Sequence, residues 1–272
     1  MAEGHVVHAY GVAPAVVLDV PEHKVVPPTG IAGTPVRLLA LGELAVVVGD
    51  LPEEGFGEAA WREHAEDPDW LEPVARGHHE VLQAVAAATD VLPLRLPGIY
   101  RDDAELQGLL GGQEEPLTRR LQFVAGHDEW GVHVHLVEDT AEEAPEATSG
   151  RDYLMQRKAQ VAGRDAAREE RQRLLTEAYA GLAQVSTDSV LNRPQDRALS
   201  GREDPMLLNS AHLVAKEAQQ QFFARADEVS RGLLEPAGMV MEISGPWPPY
   251  NFAAPAADGN GAADDPGPTE GR

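Results

Sequence analysis

The order of apolar and polar positions divides this chain into short extended segments and a few long helices. Val6 to Val12 and Ala15 to Val20 read as short strands separated by Pro14, and Pro21 to Pro35 is a Pro/Gly/Thr-rich loop turning at Val26-Pro27-Pro28-Thr29-Gly30. Val36 to Ala40 and Leu44 to Val48 are apolar runs around Gly42-Glu43 and predict a hairpin, with Asp50 to Gly57 as loop. From Asp69 to Ala88 the period lengthens. Leu71, Val74, Ala75, His78, Leu82, Val85 and Ala86 recur at three and four, the spacing of one helix face. Two prolines hold Val91 to Pro97 extended, and short helices are expected at Asp102 to Leu110 and Glu115 to Val124. Trp130 to Val137 alternates, with Trp130, Val132, Val134 and Leu136 on one face.

The pattern then changes. Glu138 to Gly150 is acidic and free of bulky apolar residues, which places a domain boundary there. The expected division is 1–138, an acidic linker 139–150, a second domain 151–252, and a disordered tail 253–272 of Ala, Gly, Pro, Asp and little else. Tyr153 to Leu182 reads as one long helix in which Leu154, Val161, Leu175 and Leu182 keep a heptad spacing around Arg168. Arg164 to Arg173 is nearly all charged or alanine, so this part is expected to project and to pack only partly. Val185 to Asn192 and Met206 to Val214 read as strands around the loop Arg193 to Pro205, and Glu217 to Leu234 as a helix. Met239, Met241 and Ile243, at a spacing of two, open a last strand that Gly245-Pro246 is expected to stop. No internal repeat is visible. Strands grouped with helices in each half, without regular strand–helix alternation, predict two α+β domains.

After that strand, Trp247, Tyr250 and Phe252 sit on a backbone stiffened by Pro246, Pro248 and Pro249, in a chain only 5% aromatic. Prolines fix φ, so these rings lose little conformational entropy on packing. Such a segment either seals its own domain, folding back on the C-terminal sheet, or docks into a partner.

Charge narrows the partners. Lys and Arg total 22 against 45 Asp and Glu, a net charge of −23, which argues against nucleic acid or an anionic membrane surface. With no cysteine there is no disulfide, thiolate metal site or cysteine nucleophile. The start, Met1-Ala-Glu-Gly-His, lacks the features of a secretory signal, and apolar runs such as Leu38 to Leu41 and Ala45 to Val48 are far too short to span a lipid membrane. A cytoplasmic protein is the expectation. Against the acidic whole, Arg164, Arg168 and Arg171 form a local basic run on the long helix, which reads either as a merely solvated face or as a docking handle for an acidic partner surface.

Candidate chemistry is sparse. His133 and His135 share one face of a strand, where two imidazoles can meet one metal with His127 as a third ligand; the polar face of an alternating strand is the stronger explanation of them. His78 and His79 project about 100° apart on a helix and cannot chelate one ion; His78 falls on the apolar stripe as a core histidine. Gly30-Ile-Ala-Gly33 and Gly111-Gly112 lack the strand, helix and lysine of a phosphate loop. Ser200-Gly201 and Ser210 lack a nucleophile-elbow context. No enzyme and no cofactor is predicted.

Several stretches resemble the gas vesicle accessory proteins of the L/F family. They are the strand running into Gly245-Pro-Trp-Pro-Pro-Tyr-Asn-Phe252, then His79-Glu80-Val81-Leu82 followed by Val91-Leu-Pro-Leu-Arg-Leu-Pro-Gly-Ile99, where Leu96-Pro97 replaces the family's Phe-Gly. Glu129-Trp-Gly-Val-His-Val134, Tyr153-Leu-Met-Gln-Arg-Lys158 and Asn209-Ser-Ala-His-Leu-Val214 continue the likeness in the family's order, from about residue 6 to 252. The resemblance implies two α+β domains, the N-terminal one a modified ferredoxin-like fold and the C-terminal one carrying a long coiled-coil-like helical arm. It further implies a non-enzymatic role in gas vesicle assembly, with contacts to the small hydrophobic shell protein and other accessory proteins. A minor component of the finished vesicle wall and a His-based metal-binding module are the alternatives. Arg164, Arg168, Arg171, Trp247, Tyr250 and Phe252 are the candidate partner-binding residues.

Overall fold

The computed structural model describes residues 4–137, 150–195 and 204–253. The acidic linker beyond Val137 and the tail from residue 254 onward, for which the sequence predicts a linker and disorder, lie outside the described residues.

Strands β1 (His5–Pro14), β2 (Val36–Leu41), β3 (Leu44–Pro52) and the short β4 (Leu92–Pro93) lie in the order β2-β3-β1-β4, with β5 (Ile99–Tyr100) also on β1. Every pairing is antiparallel. The predicted hairpin forms with Gly42 at φ 56, a turn conformation that a β-carbon disfavours. Helices α1 (Glu53–Phe56) and α2 (Glu58–His64) follow, then α3 (Pro68–Ala88), α4 (Asp103–Gly111) and α5 (Glu114–Val124). The strand thus runs on to Pro52 where the sequence predicts loop. Helix α3 begins where expected because Pro68 needs no amide partner and the Asp67 carboxylate accepts from the Asp69 N–H. Its apolar stripe, Val74, Val81, Leu82 and Val85, packs with Tyr10, Val47, Ile31 and Trp61 into the core of this unit.

The segment Ala15 to Val20 is not a strand. Ala15–Asp19 winds into a 3-10 turn in which only Val17 is buried. Six residues bracketed by Pro14 and Pro21, with one side chain to bury, tighten rather than extend.

A second set of elements comprises β6 (His127–Leu136), α6 (Gly150–Ala183), β7 (Asp188–Asn192), β8 (Met206–Ala215), α7 (Gln219–Val229) and β9 (Met239–Trp247). Its sheet has the order β7-β8-β6-β9. The predicted helix Glu217 to Leu234 is broken at both ends, by a 3-10 turn at Lys216–Ala218 and a π turn at Ser230–Leu234. Gly238, at φ 69, then turns the chain into β9. Strand β9 also runs through Gly245 and Pro246, beyond the predicted stop, with Gly245 at φ 125. On it Met239 is buried, and Met241 and Ile243 pack against the cores formed by Val132, Val134, Leu175, Ala178, Leu182, Phe222 and Val229.

The two sheets share one plan. In each, the first strand lies inside, a crossover leads to a hairpin on one side of it, and a second crossover brings the fourth strand to its other side. That is the ferredoxin-like order. In the second set both crossovers are helices, α6 and α7. In the first set the first crossover is a proline-rich loop with three 3-10 turns, which is the modification.

The chain divides into two compact units at points other than those the sequence predicts. One combines the chain up to Glu129 with the segment from Pro246 onward; the other is Trp130–Gly245. The alternating strand ending at Leu136, expected to close the first domain, is a central strand of the second sheet. The aromatic C-terminal segment, expected to seal that second sheet, belongs to the first unit. Its partners there are long-range side chains that no local pattern encodes.

Candidate functional site

Helix α6 changes character along its length. Leu174, Leu175, Ala178 and Leu182 are buried, and the Tyr179 hydroxyl donates to the Ser189 carbonyl of β7 at 3.0 Å. From Ala162 to Glu170 every residue is exposed, and Arg171 is partly so. Arg164 and Arg168 therefore stand in solvent, as the run of charge predicts. Arg173 is neutralised on its own helix by Glu170 at 2.6 Å and Glu177 at 3.0 Å. Arg164, Arg168 and Arg171 form no ion pair among the described residues.

The other three predicted residues are used differently. Phe252 is fully buried, and its carbonyl accepts from Arg120 Nε, whose guanidinium lies 4.5 Å over the Phe123 ring. Beside it the buried Glu129 carboxylate accepts from the Asn251 backbone N–H at 2.8 Å and from Asn251 Nδ2 at 2.7 Å. The Tyr250 hydroxyl meets His79 Nδ1 at 2.8 Å, and the Trp247 ring lies 5.2 Å from the same imidazole. Tyr250 also packs on the core of its unit. Residues 247–252 thus form a strap held at four points, and three of the motifs that carry the family likeness, around His79, Glu129 and Tyr250, meet in it. Trp247 and Tyr250 stay partly exposed; Phe252 does not.

The histidines serve the interior. His8 Nε2 lies 3.0 Å from His78 Nδ1, and Tyr10 stacks on His78. Burial, and then the charge of His78, pushes His8 well below its usual range; burial lowers His78 to about 4. In the second unit His212 is fully buried between hydroxyls, Ser189 Oγ at 2.9 Å from Nδ1 and Ser210 Oγ at 3.0 Å from Nε2. Burial lowers it too, to about 4. Among the described residues no carboxylate orients this imidazole in the manner of a triad, and both ring nitrogens are occupied. His133 and His135 lie on one strand as expected. His135 is buried with Nε2 3.9 Å from Glu242, and His127 Nδ1 turns to the Ala125 carbonyl at 2.8 Å. Among the described residues no group of three or more His, Asp or Glu is placed to hold a metal ion.

One feature of the surface escaped the sequence pattern. In the 3-10 turn that replaces the second predicted strand, Val16 is 64% exposed, Leu18 39% and Val20 43%. Three neighbouring apolar side chains here face water. The signal was present as an apolar run too short, between its prolines, to build a strand. No helix among the described residues is long and apolar enough to cross a membrane.

A family model described as gas vesicle synthesis protein GvpL/GvpF matches residues 6–254. Gas vesicle protein L of Streptomyces sp. (strain CB03234) is 38% identical over 236 residues, covering 84% of this chain and 87% of that protein. Gas vesicle protein F of the same strain is 28% identical over 243 residues, covering 80% and 87%. The crystal structure of the gas vesicle protein GvpF from Anabaena sp. PCC7120 superposes with a TM-score of 0.65 over 93% of this chain and 98% of that one; at 17% identity it speaks for the fold alone.

Proposed function

The chain belongs to the gas vesicle synthesis protein GvpL/GvpF family, and from that membership we propose that it is a non-enzymatic assembly protein that binds the small hydrophobic shell protein and other accessory proteins while vesicles are built. It acts in the cytoplasm, on the growing vesicle, and not on lipid or nucleic acid.

The observation that carries this reading is the exposed stretch of α6, a helix anchored by leucines at one end and solvated from Ala162 to Glu170. A helix held this way offers side chains to a partner without disturbing its own core. The exposed Val16, Leu18 and Val20 support it further. A subunit whose finished form faces gas on one side carries apolar surface before assembly and needs cover.

Co-expression of the full chain with the shell subunit, followed by affinity capture, tests the proposal. Capture of the shell subunit or of another accessory protein is the expected result; capture of neither overturns it. A urea wash of purified vesicles separates an assembly factor, which leaves, from a wall component, which stays.

A further inference from the structure

The face by which α6 enters its core continues, beyond that core, as arginine. Residues of an α-helix advance by about 100° each, so Arg164 stands about five full turns from Leu182 at the same azimuth, and Arg168 and Arg171 fall within roughly 40° of it. Leu175 and Ala178 occupy the same sector and are buried. Positions 164, 168, 171, 175, 178 and 182 repeat at four and three, the period by which helices pack side by side. Along one helix face, then, apolar side chains fill the buried part of the seam and guanidinium groups the solvated part.

The back of the helix is built differently. Arg173 lies about half a turn from Leu182 and is paired with Glu170 and Glu177. The seam arginines are left without such partners among the described residues, although Asp165, Glu169 and Glu170 stand nearby on the flanks. Ala167, beside the seam, leaves room for a close neighbour.

We propose that this seam is a docking strip for an acidic α-helix of a partner protein, lying alongside α6 with carboxylates at the same four-and-three spacing. The proposal rests on the reading of α6 as the partner-binding arm and gives that arm's ligand a chemical class. Arg164 to Arg171 spans about 10 Å of helix axis, two turns of a facing helix, and each planar guanidinium can grip a carboxylate with two parallel hydrogen bonds. A polyphosphate fits less well. The flanking Asp165, Glu169 and Glu170 and the net charge of −23 repel a uniformly charged backbone. A helix with one acidic stripe brings negative charge only where the arginines are. Solvated pairs of this kind set register and on-rate more than affinity, so the contact weakens with salt.

The probe is a synthetic helical peptide of alanine and glutamine with glutamates at the four-and-three spacing, labelled for fluorescence anisotropy against the full chain at low salt. A scrambled peptide of identical composition and a short DNA duplex are the comparators. The striped peptide binds at least about tenfold more tightly than either comparator, and Arg164→Gln with Arg168→Gln and Arg171→Gln removes the difference, while Arg173→Gln retains it. Far-UV circular dichroism and melting of the triple variant match the parent, since exposed charges contribute little to stability. Equal binding of the scrambled peptide or the duplex, or unchanged binding by the triple variant, overturns the proposal. Shell-subunit capture by the parent is scored separately. A parent that binds the striped peptide but captures no gas vesicle protein supports the strip and removes the assembly reading.

Discussion

Replacing Phe252 by alanine tests the strap at its most buried point. The residue sits 20 positions from the C-terminus of a 272-residue chain, where side chains are usually expendable. Here the ring is fully buried, and its backbone is fixed by Arg120 and by the Glu129–Asn251 pair. An aromatic ring removes roughly 150–250 Å² from water, about 4–6 kcal/mol as an upper bound at 25 cal/mol per Å². A compact unfolded chain takes roughly 10–40% off that figure, and large-to-small changes in cores cost about 3–5 kcal/mol. The expected loss is therefore about 3–4 kcal/mol, or roughly 6–15 °C in melting temperature for a unit of this size. Thermal melting gives the magnitude, and hydrogen exchange read by mass spectrometry gives the place. Exchange rises in peptides around His79 and from Arg120 to Glu129, while those containing Leu175 to Leu182 keep their protection. A melt within 2 °C of the parent, or exchange that rises only between Trp130 and Gly245, refutes the assignment of the strap to the first unit.

Further outcomes follow from the same geometry. Tyr250→Phe removes only the hydroxyl that meets His79 and costs about 0.5–1.5 kcal/mol by urea unfolding. Leu182→Ala empties the anchored end of α6 and costs about 2–5 kcal/mol, whereas Arg164→Glu with Arg168→Glu and Arg171→Glu shifts stability by about 0.5 kcal/mol or less. Acid has a defined window. His78 and His212 are held neutral at about 4 in the folded chain, so below about pH 6.5 the unfolded chain binds more protons. Their contribution is whole above about pH 6.5 and declines as pH falls toward 4, by up to about 1.4 kcal/mol per pH unit for each; an unfolding free energy flat across that interval contradicts it.

What the sequence discloses follows the range of the interactions involved. Helix α3 is written in periodicity because it buries one face of its own residues, the hairpin of β2 and β3 in two apolar runs around Gly42, β3 being covered on both faces, and β6 in the alternation that places Val132 and Val134 on one face. The exposed stretch of α6 was equally legible, since a run from Arg164 to Arg173 has nothing to bury. The turn at Ala15–Asp19 was not, because the same apolar letters serve a strand or an exposed turn, and only the neighbouring prolines tip the balance. The place of the strap is illegible for a different reason. Trp247 to Phe252 meets His79, Arg120 and Glu129, which lie more than a hundred residues earlier and share no period with it. Likewise the common plan of the two sheets is invisible as a sequence repeat, for strand order is a property of pairing and not of composition.

The strap also orders events in time. The first unit is discontinuous, closed by residues made after the whole of the second. At roughly 5–20 residues per second, the ribosome takes about 6–25 s to pass from Glu129 to Phe252, and throughout that interval the site that will receive Phe252 is open. The unit begun first is therefore finished last. A chain cut short anywhere before Pro246 lacks the contacts that Tyr250, Asn251 and Phe252 make to His79, Glu129 and Arg120, even if every earlier element has folded.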